Sequence, residues 1–226
     1  MAVTKRIVCL ANSRKLSGRC VAGREWDGKQ AGAWIRPVSA REHEEVSEGE
    51  REYRDGSDPR VLDVIEMPLL KPTPKHYQQE NWMLDPEAYW VRAGKLHWSG
   101  LVKIAEIPER LWVNDSSTYA GLNDQIPFET AKDLKSSLNL IRVKALTLHV
   151  LRPGKDFGNP KLRVQGRFEH CGEGYWLWVT DPGFERTYKA HGEGEYQLGE
   201  CCLTISLGDV HEGRCYKLIA AIIPRA

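Results

Sequence analysis

Residues 161–190 read KLRVQGRFEHCGEGYWLWVTDPGFERTYKA, and this stretch decides the architecture. "KLRVQGRFEH" (161–170) and "YWLWVTD" (175–181) are short, rich in β-branched and aromatic residues, and separated by a Gly-containing turn, which predicts two consecutive strands. "DPGFERTYKA" (181–190) then predicts a short helix or turn with Pro182 near its start, where a missing N–H costs nothing. Upstream, "LNLIRVKALTLHVLRPG" (138–154) predicts one long strand ended by Pro-Gly. Downstream, "LGECCLTISLG" (198–208) and "CYKLIAAII" (215–223) predict two more. The order is strand, strand, strand, short helix, strand, strand.

A closed five-stranded barrel of the OB type has this order, with its helix between strands three and four. Strand signals also fill the first half: "KRIVCLA" (5–11), "GRCVAG" (18–23), "AWIRPVS" (33–39) and "VLDVIEMPL" (61–69). "GLVKIAEI" (100–107) is compatible with a strand or a short helix. The halves echo each other. "GAWIRPVSAR" (32–41) and "GYWLWVTDPG" (174–183) share a Gly, a Trp two residues later, an aliphatic after it and a closing turn. A period of roughly 140 residues is too long for a solenoid and suits two copies of one barrel. The expected fold is therefore all-β with short helices: two tandem OB-like β-barrels packed together, 1–130 with long inserted loops and 131–226. "KPTPKHYQQENWMLDP" (71–86) and "NDSSTYAGLNDQIPFET" (114–130) read as loops.

With 226 residues, 41% hydrophobic and 28% charged, the composition is that of a soluble globular chain. No apolar run reaches membrane-spanning length and the N-terminus lacks a leader pattern, so the expected location is cytoplasmic, with no membrane partner. The six cysteines contain no C-x-x-C pair; Cys201 and Cys202 are adjacent and face opposite ways on a strand, which predicts buried thiols and no metal site. Net charge is +1, but residues 1–41 hold nine basic and two acidic residues, whereas 42–63 hold nine acidic and three basic. A local positive surface beside a mobile acidic loop is expected.

"CLANSRKLSGRCVAG" (9–23) turns abruptly polar and basic at the end of the first strand. At a barrel rim, Asn12, Ser13, Arg14 and Lys15 offer hydrogen bonds and two cations to a phosphate. Arg19 opens strand two. Alternation puts Trp34 and Arg36 on one face of strand three, a stacking platform beside a guanidinium on the surface OB barrels use for ligands. The loop "HYQQEN" (76–81) brings His76, Gln78, Glu80 and Asn81, side chains able to read base edges. In "YWLWV" (175–179), Tyr175, Leu177 and Val179 share one face; Trp176 and Trp178 share the other, expected to be an interface with the first barrel or a ligand face. The histidines (43, 76, 97, 149, 170, 191, 211) have no metal spacing, and no G-x-S-x-G, Walker lysine or H-E-x-x-H occurs, so no enzyme and no cofactor is expected.

"CLANSRKLSGRCVAG", "GAWIRPVS" (32–39), "HYQQENW" (76–82) and "YKLIAAII" (216–223) together resemble the bacterial dual OB-containing domain family, over nearly the whole chain. The resemblance implies two OB barrels, nucleic-acid recognition and an association with bacterial defence systems, with no established catalytic activity. The functional expectation is a module for single-stranded or structured RNA, or modified DNA. Its rivals are a nucleotide or small-molecule sensor and a protein-interaction module that recruits an effector.

Overall fold

The computed structural model describes residues 2–225, in two compact units: Met1–Ile104 with Lys135–Ser137, and Ala105–Leu134 with Leu138–Ala226. The chain thus divides at 104/105, with a short return, in place of a single boundary at 130. The reason is pairing: the 105–134 segment hydrogen-bonds into the second unit, through Glu106 to Ile141 and Asn114 to Tyr175.

The first unit contains β1 (Val3–Lys15), β2 (Gly18–Trp26), β3 (Ala31–Val38), α1 (Glu48–Arg51), β4 (Asp63–Pro72), β5 (Asn81–Leu84), β6 (Val91–Lys95) and α2 (Trp98–Ile104). Its strands run in the order β1-β2-β3-β5-β4, and β4 pairs back onto β1, so five strands close a barrel. β3 and β5 are parallel, while the other barrel pairings are antiparallel. This is the OB order. β1 serves two partners, β4 along Val3–Val8 and β2 along Ile7–Lys15. A Cβ on Gly23 would stand 2.0 Å from the Val8 carbonyl oxygen, so only glycine lets the two strands approach where β1 changes partner. The barrel fills with Ile7, Cys9, Val21, Ile35, Ile65, Met67, Leu69 and Leu84.

One sequence expectation changes here and one alternative is decided. Asn81–Leu84, read as loop, is the fifth strand: its short apolar run follows a polar loop, and pairing to both β3 and β4 overrides weak local propensity. Of the two readings open for 100–107, the helix holds for its first part, within α2, and Glu106 then bridges to Ile141. The acidic segment after β3 is held by local ion pairs, Arg41 to Glu50, Arg51 to Asp58 (2.6 Å) and Lys75 to Glu44 (3.3 Å), and by a capping box at Ser47 and Glu50.

The second unit contains β7 (Gln125–Pro127), α3 (Phe128–Ala131), β8 (Leu138–Val143), β9 (Leu146–Leu151), β10 (Arg163–His170), β11 (Glu173–Val179), α4 (Pro182–His191), β12 (Gly194–Leu198), β13 (Cys201–His211) and β14 (Arg214–Pro224). The order is β12-β9-β10-β11-β14-β13-β8, with β11 and β14 parallel and β7 on β14. Only Gly199 and Glu200 separate β12 from β13. Together they act as one broken fourth strand, its first part on β9 and its second on β14, which gives the OB order again. The stretch 138–154 is two strands, since β8 pairs with β13 and β9 with β10. The echo between the halves is topological: β3 and β11 are both third strands, each parallel to its barrel's fifth.

α4 begins where Pro182 predicts, and Asp181 caps it. The Asp181 carboxylate accepts from the N–H groups of Gly183 (2.9 Å) and Phe184 (3.2 Å), and its second oxygen accepts from Ile222 N–H (3.2 Å). Burial raises its pKa above the ordinary aspartate value. Asp181→Ala is expected to lower stability by about 1–2 kcal/mol, read from the thermal midpoint.

All six cysteines are free thiols. Cys9, Cys201, Cys202 and Cys215 are buried as expected, but Cys171 is exposed and Cys20 half-buried. No helix among the described residues is long and apolar enough to cross a membrane.

Candidate nucleic-acid interface

The β1–β2 hairpin places the basic residues of the first unit side by side. Arg14 stands directly opposite Arg19, and Lys15 opposite Gly18, with Leu16 taking the positive φ of the tight turn. Asn12 is half-buried and Ser13 buried, and both bond within the protein. The Asn12 amide donates to the Pro59 carbonyl (2.8 Å), and the Ser13 hydroxyl donates to that of Cys20 (3.4 Å). They fix the rim more than they extend it. The segment after β3 also reaches this hairpin: Val46 and Arg19 exchange backbone hydrogen bonds at 2.9 Å, and Glu45 lies buried against Gly18.

On strands two and three, Trp34 is outward and half-buried, while Ile35 is in the core, as alternation predicts. Arg24 is its direct cross-strand partner, with the guanidinium 5.7 Å from the ring centroid, within cation–π range. Arg36 is not exposed beside it. It is buried, its guanidinium 2.9 Å from the Glu80 carboxylate and 2.6 Å from the Ser137 hydroxyl, and Ser137 in turn donates to Glu80. The register explains this, because Arg36 pairs with Asn81 in the parallel β3–β5 ladder and meets Glu80 at its end. In the 76–81 loop, His76 is exposed; Gln78, Glu80 and Asn81 are buried, and the Asn81 amide donates to Gln78 Oε1 (3.2 Å). The candidate residues therefore separate into a basic rim (Arg14, Lys15, Arg19), an aromatic face (Trp34) and a buried polar cluster (Arg36, Gln78, Glu80, Asn81).

The second unit carries a face of the same kind. Tyr175, Leu177 and Val179 are in the core; Trp176 and Trp178 share the opposite face, where Trp176 is exposed and Trp178 is buried. On β10, Val164 and Phe168 are in the core; Arg163, Gln165 and Arg167 alternate on the opposite face, with Arg163 exposed, Arg167 half-buried and Gln165 fully buried. The Arg167 guanidinium lies 4.3 Å from the Trp176 ring centroid, and that of Arg163 lies 3.9 Å from Trp178. These arginines are functional candidates absent from the sequence reading. The period-2 R-x-Q-x-R beside W-x-W was the available signal, and it becomes visible only once β10 and β11 are known to pair.

A model of the dual OB-containing domain matches residues 5–222. The chain belongs to the dual OB-containing domain family. No curated protein matches it. Within this dual OB domain the Trp of each third strand takes the same place. Trp34 and Trp176 each follow a Gly by two residues, each faces outward, and each has an arginine of the second strand directly opposite, Arg24 and Arg167. OB domains commonly present strands two and three to nucleic acids or oligosaccharides. Among the described residues, no group of three or more His, Cys, Asp or Glu side chains is placed to hold a metal ion.

Proposed function

We propose that this dual OB domain is a nucleic-acid-binding module whose ligand is single-stranded. The observation that carries the reading is the repeated Arg–Trp pair: the same cross-strand combination on strands two and three of both barrels. An indole offers a stacking plane that tolerates any base, and a guanidinium laid on it serves phosphate or base alike. In the first barrel, Arg14, Lys15 and Arg19 supply phosphate contacts at the rim, with Trp34 and Arg24 as the stacking pair and His76 beside the loop. Asn12 and Ser13 hold the hairpin in place. Arg36, Gln78, Glu80 and Asn81 act from beneath, by fixing β3 against β5.

The test is fluorescence anisotropy of labelled single-stranded RNA and DNA across a salt series. The Arg14→Ala, Lys15→Ala double variant is expected to bind about tenfold more weakly. The slope of log affinity against log salt should fall by about 1.4, because two phosphate contacts to a single strand no longer release counterions. No affinity for either polymer at low salt, or affinity independent of salt, overturns the proposal.

A further inference from the structure

Two highly exposed aromatic side chains of the second unit meet each other. Tyr119 and Phe157 are 83% and 78% exposed, with ring centroids 6.2 Å apart and ring planes at 88°. Each sits on its own loop, and each loop is braced. On one side of Tyr119, the Thr118 N–H and hydroxyl donate to the Asp124 carboxylate (2.7 and 2.5 Å). On the other, the Ala120 carbonyl accepts from the Gln165 amide (2.6 Å). The same segment holds Trp112, Asp115 and Asn123 at positive φ, a conformation that persists only where the surroundings over-determine it. Phe157 ends a single 3-10 turn, Lys155–Phe157, and Gly158 follows at a φ of 75°. That loop is closed by the Asn159 N–H on the Gly154 carbonyl (2.8 Å) and by the Arg152 guanidinium on the Pro160 carbonyl. Single exposed apolar residues are ordinary. Two that meet on separately braced loops form a prebuilt contact surface, with little freedom left to lose on binding.

The chemistry of this corner selects its occupant. Perpendicular rings share no plane, so a base laid on one is met at its side by the other, and successive bases find no platform. The charges point the same way. Residues 116–123 contain no charged side chain, and 154–160 contain one of each sign, Lys155 and Asp156. A row of phosphates needs an excess of cations, which these loops lack. Two apolar walls at a right angle suit the ridge of a polyproline II helix, which docks on aromatic-lined grooves and leaves its own carbonyls without internal partners. The Tyr119 hydroxyl has no hydrogen-bond partner among the described residues and is available to donate to such a carbonyl.

We propose that the Tyr119–Phe157 corner is a docking site for an uncharged, proline-rich segment of a partner protein in the polyproline II conformation. The site uses neither Arg–Trp pair and does not depend on the nucleic-acid reading.

The experiment uses the full chain and two random peptide libraries, one with prolines fixed as Pro-x-x-Pro and one with glycine at those two positions, x being drawn from uncharged residues. Selection is expected to enrich the proline library alone. An enriched peptide, labelled and followed by fluorescence anisotropy, should bind Tyr119→Ala and Phe157→Ala about 30-fold more weakly than wild type, the loss typical of an aromatic hot spot. Tyr119→Phe keeps the ring and should lose less. Both side chains are exposed, so the thermal midpoint should stay that of wild type; if one variant does not fold, the other, on a separate loop, carries the measurement. No enrichment of the proline library over the glycine library overturns the proposal, as do enriched peptides that bind the folded variants as well as wild type. Labelled ten-base oligothymidylate, measured in parallel, should bind the variants as it binds wild type. A loss of its affinity in Tyr119→Ala and Phe157→Ala would give the corner to nucleic acid and overturn the proposal.

Discussion

Arg36→Met lowers the stability of the first unit by about 3–5 kcal/mol, as measured by denaturant unfolding. The Arg36 and Glu80 side chains are 5% and 4% exposed and 2.9 Å apart, with the Ser137 hydroxyl bonded to both. Removing the guanidinium leaves a carboxylate in a site with almost no water, and that uncompensated charge is the main cost. The double variant Arg36→Met, Glu80→Met removes both charges and is expected to recover most of the loss, because a buried pair gains little over apolar residues of similar size. A single variant within about 1 kcal/mol of wild type would mean that water reaches Glu80 and that Arg36 is available to a ligand after all. The result therefore also decides whether Arg36 acts on ligand directly or by joining β3 to β5.

Arg36 illustrates how far the sequence carries. Period-2 alternation correctly placed Ile35 inside and Trp34 and Arg36 on the opposite face. What alternation does not contain is whether something covers that face. Ser137, about a hundred residues away, and Glu80, at the start of a strand that read as loop, do so here. The second barrel was legible because its strands are long, apolar on one side and punctuated by Gly and Pro; Pro182, near the start of a short helix, marked the crossover. β5 was not legible because four residues carry too little pattern, and its identity comes from two partner strands. The Trp176–Trp178 face was legible as a face, but not its arginines. A cross-strand pair needs the register, and register is a tertiary fact.

The stability of the second unit should rise between about pH 8 and 10.5 through Lys217. Its ammonium is buried, donating to the Val113 carbonyl (2.7 Å) and Asn114 Oδ1 (3.1 Å), and lies 5.4 Å from the Tyr175 ring centroid. Burial lowers its pKa from 10.5 to about 8, against the opposing pull of Asp124 and Asp115. In the window between those values the unfolded chain holds the proton that the folded chain has released. Raising the pH therefore favours the folded state, and below pH 8 the effect is flat. The full difference, 10.5 minus 8, corresponds to about 3 kcal/mol. Buried thiols act in the other direction: Cys201 and Cys202 are raised from 9.0 to about 12 and 11 by burial, so stability is lost as pH climbs past 9. The two contributions separate in a difference experiment. Urea midpoints of wild type and Lys217→Met at pH 7.5, 8.5, 9.5 and 10.5 share the thiol contribution, and their difference should grow with pH in favour of wild type. A difference that stays constant across the series would mean that Lys217 keeps its proton in the fold, its two acceptors and the neighbouring carboxylates outweighing the loss of water.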